Sequence, residues 1–228
     1  MISIIVPAYN EVRTIAAVLD RVLTIDLPAP REVIVVNDGS TDGTREELDR
    51  LRTLHPKLIV IHAERNRGKG HALRLGFAKA QGTVVAIQDA DLELDPAQLA
   101  GLVAPILEGN ADVVYGSRFL AGRPDAPGMM IAANRALTAL TNLLYGSSIT
   151  DMETCYKIMR TEVVRGLDLQ ADRFDIEPEI TAKLLLAGHR IVERPARFTP
   201  RSRAAGKKIG WRDGVTAILL LIRLRFRR

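Results

Sequence analysis

Apolar residues along this chain follow two rhythms that alternate. Short, nearly continuous Val- and Ile-rich runs occur at residues 2–6, 33–36, 58–61, 84–87 and 113–115, each bounded by turn residues or polar flanks. Between them apolar positions recur at spacings of three and four, as in Ile15, Val18, Leu19 and Val22, in Leu48, Leu51 and Leu54, and in Leu99, Leu102, Val103 and Ile106. A run that is apolar at every position suits a strand covered on both faces, whereas the three–four spacing marks one face of a helix. Their alternation predicts an α/β fold with a mostly parallel central sheet flanked by helices. Asp95-Pro96 supplies an N-cap and a first helical position for one of these helices.

After Gly116 the rhythm breaks. A Gly/Pro-rich loop at 121–128 leads into a helical stretch over about residues 130–145, and a polar loop then precedes a strand at 155–159. A helix over 177–186 and a strand at 190–194 follow, with no internal repeat and no low-complexity segment. The pattern predicts one domain over residues 1–210, regular in its 1–118 half and less regular in its 119–210 half, with a separate amphipathic helix at 211–228.

In that last helix the continuous apolar stretch is only residues 217–222, far short of the ~20 that a membrane-spanning helix needs. Arg223, Arg225, Arg227 and Arg228, interleaved with Leu224 and Phe226, instead suit a basic helix lying on an anionic membrane surface. A helix packed on the domain with a solvated basic end fits the same pattern.

Composition adds bounds. The chain has 228 residues, 47% of them hydrophobic and 26% charged, which excludes a disordered chain and suffices for a substantial core. The single Cys155 excludes an intramolecular disulfide and a multi-cysteine zinc site, and makes a reducing compartment the default. The N-terminus lacks the basic region and cleavage site of a signal peptide, so none is expected. Net charge is +5, but residues 190–228 hold 12 Lys and Arg against Glu193 and Asp213, leaving a body with 20 basic and 25 acidic side chains. A mildly acidic body with a basic tail is not the charge profile of a nucleic-acid binder.

Ligands of open parallel sheets bind beyond the carboxyl ends of the strands. There the sequence places Pro7-Ala8-Tyr9-Asn10-Glu11, then residues 37–43 (NDGSTDG), then Asp89-Ala90-Asp91-Leu92-Glu93. All three acidic clusters therefore share one sheet edge. In extended backbone Asp89 and Asp91 project to one side, where converging carboxylates repel unless a cation lies between them. Hard oxygen donors suit Mg2+ or Mn2+ shared with substrate phosphate. The dinucleotide fingerprint Gly-x-Gly-x-x-Gly is absent after the first strand, where Pro7 stands, and Arg67-Gly68-Lys69-Gly70-His71 lacks phosphate-loop spacing. Gly68 and Gly70 fit either a plain strand-to-helix turn or proximity to a pyrophosphate, and His71 either packs at a helix start or acts as a ligand.

In order and spacing, residues 7–11, 37–42, 66–70, 89–93, 116–118, 151–157, 177–180 and 201–208 together resemble the inverting glycosyltransferases of family 2, of the GT-A fold. Within that family they are most like the dolichol- or polyprenol-phosphate sugar synthases. The resemblance implies a nucleotide-sugar half (1–118) and an acceptor half (119–210). It implies that Pro7, Tyr9, Glu11 and Asp38, with Asp89, Ala90 and Asp91, bind a UDP- or GDP-linked sugar. It also implies that Asp89, Asp91 and Glu93 bring Mg2+ or Mn2+ to the diphosphate, although relatives often carry Gln where Glu93 stands. Arg118 resembles an arginine that meets phosphate near the reaction centre, and Arg201, Arg203, Lys207 and Lys208 resemble a basic loop closing over the phosphates, without the Ser that relatives often have there. Asp91, Arg118 and Asp151 are the expected catalytic residues. Cys155 reads as a buried small residue rather than a nucleophile.

The expected reaction is displacement at the anomeric carbon of the nucleotide sugar by a polyprenyl phosphate, with inversion, at the cytoplasmic face of a membrane and without nucleic acid. A phosphate monoester, with a second pKa of about 6, needs no strong base. A hydroxyl acceptor would need one, with Asp151 or Glu153 as candidates. A non-catalytic membrane- or nucleic-acid-binding protein is the third class, disfavoured because three acidic loops repel phosphate backbones.

Overall fold

The computed structural model describes residues 1–122, 124–200 and 211–226. Its centre is a seven-stranded sheet in the order β3-β2-β1-β4-β6-β5-β7. The expected runs form β1 (Ile2–Ala8), β2 (Arg31–Asn37), β3 (Leu58–His62), β4 (Val84–Ile87) and β5 (Val113–Ser117). The helices between them are α1 (Ile15–Thr24), α2 (Thr44–Leu54), α3 (Lys69–Lys79) and α4 (Leu99–Leu107). The second half adds α5 (Gly128–Tyr145), β6 (Lys157–Arg160), α6 (Thr161–Gly166), α7 (Ile176–Leu186), β7 (Ile191–Pro195) and α8 (Trp211–Phe226).

β1 lies between β2 and β4, parallel to both, and its alternating side chains divide the core. Ile2, Ile4, Val6 and Ala8 join Val33, Val35, Val18, Leu48 and Leu102 on one face, under α1, α2 and α4. Ile5 joins Ile34, Val36, Val85, Ile87, Leu73 and Ile180 on the other, under α3 and α7. Both faces are dry, which is why the strands read as continuous apolar runs rather than as alternation.

β6 departs from the parallel pattern. It pairs antiparallel with both β4 and β5, with Lys157 opposite Tyr115 and Ile158 opposite Ala86. Its start therefore lies at the same edge where β4 and β5 end, and this reversed strand carries residues 151–157 into the strand-end site. The strand expected from residue 155 begins at Lys157. The six-residue α6 was not predicted, being too short to show a period.

Helices α5, α7 and α8 enclose a third small core containing Met152, Ala182 and Leu221. The Tyr145 hydroxyl donates to the Leu221 carbonyl at 2.7 Å, and Arg225 Nε donates to the Leu144 carbonyl at 2.7 Å. α8 is thus docked on the domain. It also keeps an exposed apolar face: Leu219 is 63% and Phe226 70% exposed, beside Val215, Ile218 and Ile222, while α5 exposes Leu143 at 82%. Arg223 and Arg225 lie in its last turn, and among the described residues no helix is long and apolar enough to cross a membrane.

Candidate active site at the strand ends

The parallel register sets Ala8 beside Asn37, so the loops after β1 and β2 leave the sheet side by side. Asn10 adopts a left-handed backbone (φ 53°), its N–H donating to Ser40 Oγ at 2.9 Å while its side-chain oxygen accepts from the Thr41 N–H at 2.8 Å. Asn is among the few residues that take this conformation at small cost. The Glu11 N–H donates to Thr44 Oγ1 at 2.9 Å, and Thr14 Oγ1 bonds both to Glu11 Oε2 (2.9 Å) and to the Ala90 carbonyl (2.7 Å). These bonds join the three acidic loops. Pro7 and Tyr9 are half-buried beside them, and Glu11 and Ala90 are buried.

Asp38 is 2% exposed, and its carboxylate is engaged inside the chain. Oδ2 accepts from the N–H groups of Arg67 (3.0 Å) and Gly68 (2.6 Å), and Oδ1 lies 3.0 Å from His71 Nδ1. An acidic group here satisfies orphan donors at the start of α3 and complements the helix dipole. A nucleotide donor would have to share these oxygens. His71 belongs to this cap, the packing alternative of its two readings. Gly70 is explained by close packing, because a Cβ there would lie 2.3 Å from the Ala171 carbonyl oxygen.

The loop after β4 carries Asp89 and Asp91. The Glu93 N–H closes onto Asp91 Oδ1 at 3.1 Å around Leu92, whose φ is 63°. Behind it, buried Gln88 donates to the Asp89 and Leu94 carbonyls and accepts from the Tyr156 hydroxyl at 2.8 Å. From the far side, Thr199 N–H donates to the Glu93 carbonyl and Phe198 bridges to Leu94. Lys69, at the start of α3, spans Asp89 (Nζ–Oδ1 2.7 Å) and Glu177 (Nζ–Oε1 2.9 Å). Among the described residues no three His, Cys, Asp or Glu side chains converge as a metal-holding group. A cation at Asp89 and Asp91 would complete its shell with substrate oxygens and water, as small hard cations commonly do.

Across the sheet edge, Arg118 follows β5 and grips Asp151. Its N–H and Nε donate to Oδ2 (2.9 and 2.8 Å) and Nη2 to Oδ1 (2.7 Å), while its guanidinium lies 5.3 Å from the Phe198 ring centroid. Burial alone would lower the Arg118 pKa, but the Asp151 bonds and charge hold it above its ordinary value. Asp151 is fully buried and also accepts from Asn134 Nδ2 at 3.2 Å. Both oxygens of Asp151, the base candidate for a hydroxyl acceptor, are thus engaged by Arg118 and Asn134. Glu193 supports the same loop by accepting from the N–H groups of Thr150 and Asp151.

Lys157 is fully buried, and its ammonium bonds the Met152 and Thr154 carbonyls and Glu177 Oε2. Burial would raise the Glu177 pKa, yet Lys157 and Lys69 together hold it below the ordinary carboxylate range. Beside this network, Glu153 Oε1 is sealed from solvent and has no hydrogen-bond partner among the described residues. Burial, with Glu177 and Asp151 adding to it against Lys157 and Arg118, pushes its pKa up to about 7. Burial likewise pushes the Cys155 thiol well above its ordinary value, which disfavours the thiolate a nucleophile needs. Lys69, Lys157 and Gln88 were not among the expected site residues. The one available signal was a lysine set in the apolar strand Tyr156-Lys157-Ile158-Met159, where a charge demands a partner. Arg201, Arg203, Lys207 and Lys208 lie outside the described residues.

This combination of a GT-A sheet and three acidic strand-end loops agrees with the comparisons. The sequence profile of Glycosyl transferase family 2 matches residues 3–167, and the chain belongs to that family. It is 32% identical over 207 residues to the glycosyltransferase AglD of Haloferax volcanii, covering 88% of this chain and 33% of that protein. It is 29% identical to a dolichol-phosphate mannosyltransferase of Pyrococcus furiosus (92% of this chain, 59% of that one) and 30% identical to an undecaprenyl-phosphate mannosyltransferase of Micrococcus luteus (90% and 86%). The chain thus spans only about a third and three-fifths of the first two relatives. In fold it resembles glucosyl-3-phosphoglycerate synthase of Mycobacterium tuberculosis, solved with Mn2+ and UDP, at a TM-score of 0.72 and 20% identity over 99% of this chain and 79% of that one.

Proposed function

We propose that this chain moves a monosaccharide from a UDP- or GDP-linked donor to a polyprenyl phosphate, inverting the anomeric centre, at the cytoplasmic face of a membrane. The observation that carries the lipid acceptor is the exposed apolar face of α8, which ends in Arg223 and Arg225, with Leu143 exposed on the helix α5 it packs against. Such a face, with cations at its end, suits an anionic lipid surface. The relatives named for transfer to dolichol phosphate and undecaprenyl phosphate support the same acceptor class.

Asp89 and Asp91 would hold Mg2+ or Mn2+ and, with Pro7, Tyr9, Glu11, Asp38 and Ala90, frame the nucleotide. The donor chemistry fits: two hard carboxylates share a loop braced by Gln88 and Thr199, with Glu93 following in the same turn. Bound there, the cation supplies Lewis-acid assistance to the departing nucleotide diphosphate. Arg118, oriented by Asp151 and Phe198, stands ready to meet phosphate with a planar guanidinium. Arg201, Arg203, Lys207 and Lys208 would add positive charge from the segment after the Phe198 strap.

A screen of nucleotide sugars against a short polyprenyl phosphate, with Mg2+ or Mn2+ and mass detection, tests this reading. Expected is one polyprenyl-phosphate monosaccharide from one donor. Transfer only to a soluble hydroxyl acceptor would replace it. Binding to anionic but not neutral vesicles, weakened when residues 211–228 are removed, is the matching result for the membrane.

A further inference from the structure

Lys69 stands where a helix disfavours a cation. It opens α3, with no acidic residue in the first turn to offset it, against the positive end of the helix dipole. Only 10% of its side chain is exposed, so water does little to solvate its charge. Two carboxylates account for its place: Nζ lies 2.7 Å from Asp89 Oδ1 and 2.9 Å from Glu177 Oε1. Glu177, buried on α7, is fixed in turn by Lys157. Asp89 therefore meets a positive charge before any metal reaches it. In so shielded a position a neighbouring charge acts strongly, because little water screens it.

We propose that Lys69 is a resident counter-cation of the metal loop: it balances Asp89 before the donor binds, so that a divalent cation is held tightly only together with a nucleotide diphosphate. The inference rests on the metal reading of Asp89 and Asp91 above. An ammonium on Asp89 opposes an arriving dication in two ways, by repelling it and by engaging a carboxylate oxygen. A diphosphate offsets both. Its negative charge outweighs that of one lysine, and its oxygens supply ligands where, among the described residues, no three His, Cys, Asp or Glu side chains converge. Lys69 need not leave the fold when metal and nucleotide bind, because Glu177 holds it from the other side. Lys69 is thus a positioning residue that acts through Asp89. It keeps that carboxylate oriented and balanced while the donor is absent, and it makes metal loading depend on the nucleotide.

The test is a Mn2+ titration of the full chain, read from the paramagnetic resonance of free Mn2+, without nucleotide and with saturating UDP or GDP. Wild type, Lys69→Met and Lys69→Arg are compared, each corrected for the Mn2+ that nucleotide binds alone. In wild type one of the two nucleotides should tighten Mn2+ binding at least about 10-fold, the lower end of what groups behind a metal ligand contribute. Lys69→Met should bind Mn2+ about 10-fold more tightly than wild type without nucleotide, and its gain from nucleotide should shrink to match. Lys69→Arg keeps the charge and should keep the wild-type pattern. Unchanged or weaker nucleotide-free binding in a Lys69→Met chain that melts cooperatively overturns the proposal, as does Lys69→Arg behaving like Lys69→Met. Should Lys69→Met not fold, wild type alone still decides: equal Mn2+ affinity with and without nucleotide overturns the proposal. A wild type that binds no Mn2+ under any of these conditions overturns the metal reading itself, and is told apart because it involves no substitution.

Discussion

The two halves of the site are held by different forces. On the nucleotide side the loops after β1, β2 and β4 are tied by short, neutral or backbone-directed hydrogen bonds, such as Asn10 to Ser40 and Thr41, and Thr14 to Ala90. On the acceptor side the parts are held by buried ion pairs, with Arg118 on Asp151 and Lys157 and Lys69 on Glu177. Lys69 joins the two sides, pairing with Asp89 on the first and with Glu177 on the second. A buried ionic frame depends on each partner for its stability, since removing one charge strands the other. Function on the first side and stability on the second should therefore respond to substitution in opposite ways.

The largest effect expected on activity is from Asp91→Ala. Turnover should fall at least about 10³-fold, in line with loss of a group that stabilises leaving-group charge. The melting temperature should change little, because Asp91 is half-buried at a loop where substitutions cost about 0.5 kcal/mol or less. Steady-state turnover and a melt on the same preparation check both halves of that statement. Retained turnover would remove Asp91 from the metal site.

Lys157→Met reverses the pattern. It leaves Glu177 buried with only Lys69 to balance it, and should cost about 3–5 kcal/mol in urea unfolding. A loss below about 1 kcal/mol would mean that the acceptor side does not depend on its ion network. Gly70→Ala tests the seam between the halves, where α3 meets the 171–173 loop. The added methyl must displace the Ala171 carbonyl, so about 1–3 kcal/mol of destabilisation is expected by the same measurement.

The same contrast explains what could be read from the chain. The nucleotide half was legible because its strands are apolar on both faces and each is followed by its acidic loop, so local pattern and function coincide. The acceptor half was harder because its site is built across long sequence separations. Arg118 and Asp151 are 33 residues apart, and Lys69 meets Glu177 only after the chain has crossed the sheet. The antiparallel insertion of β6 between β4 and β5 makes those meetings, and no period in the sequence encodes a strand's direction. The pairing of Asp151 with Arg118 is one such meeting, and neither residue's local sequence announces the other.

An effect visible only as a pH dependence distinguishes two carboxyls of this second region. Glu177 is held below its ordinary range by Lys157 and Lys69 against burial, so its contribution to stability is present at neutral pH and is lost on acidification. Glu153 is raised from an ordinary 4.5 to about 7, first by burial and then by Glu177 and Asp151. Between those two values the folded chain binds more protons than the unfolded chain, so stability falls as pH rises and levels off above about 7. Gln at position 153 carries no charge at any pH. The melting temperature of Glu153→Gln should therefore match wild type near pH 5 and exceed it at pH 8, by a difference worth about 2–3 kcal/mol. A constant difference between pH 5 and 8 would mean that Glu153 does not change its charge in the folded chain over that range.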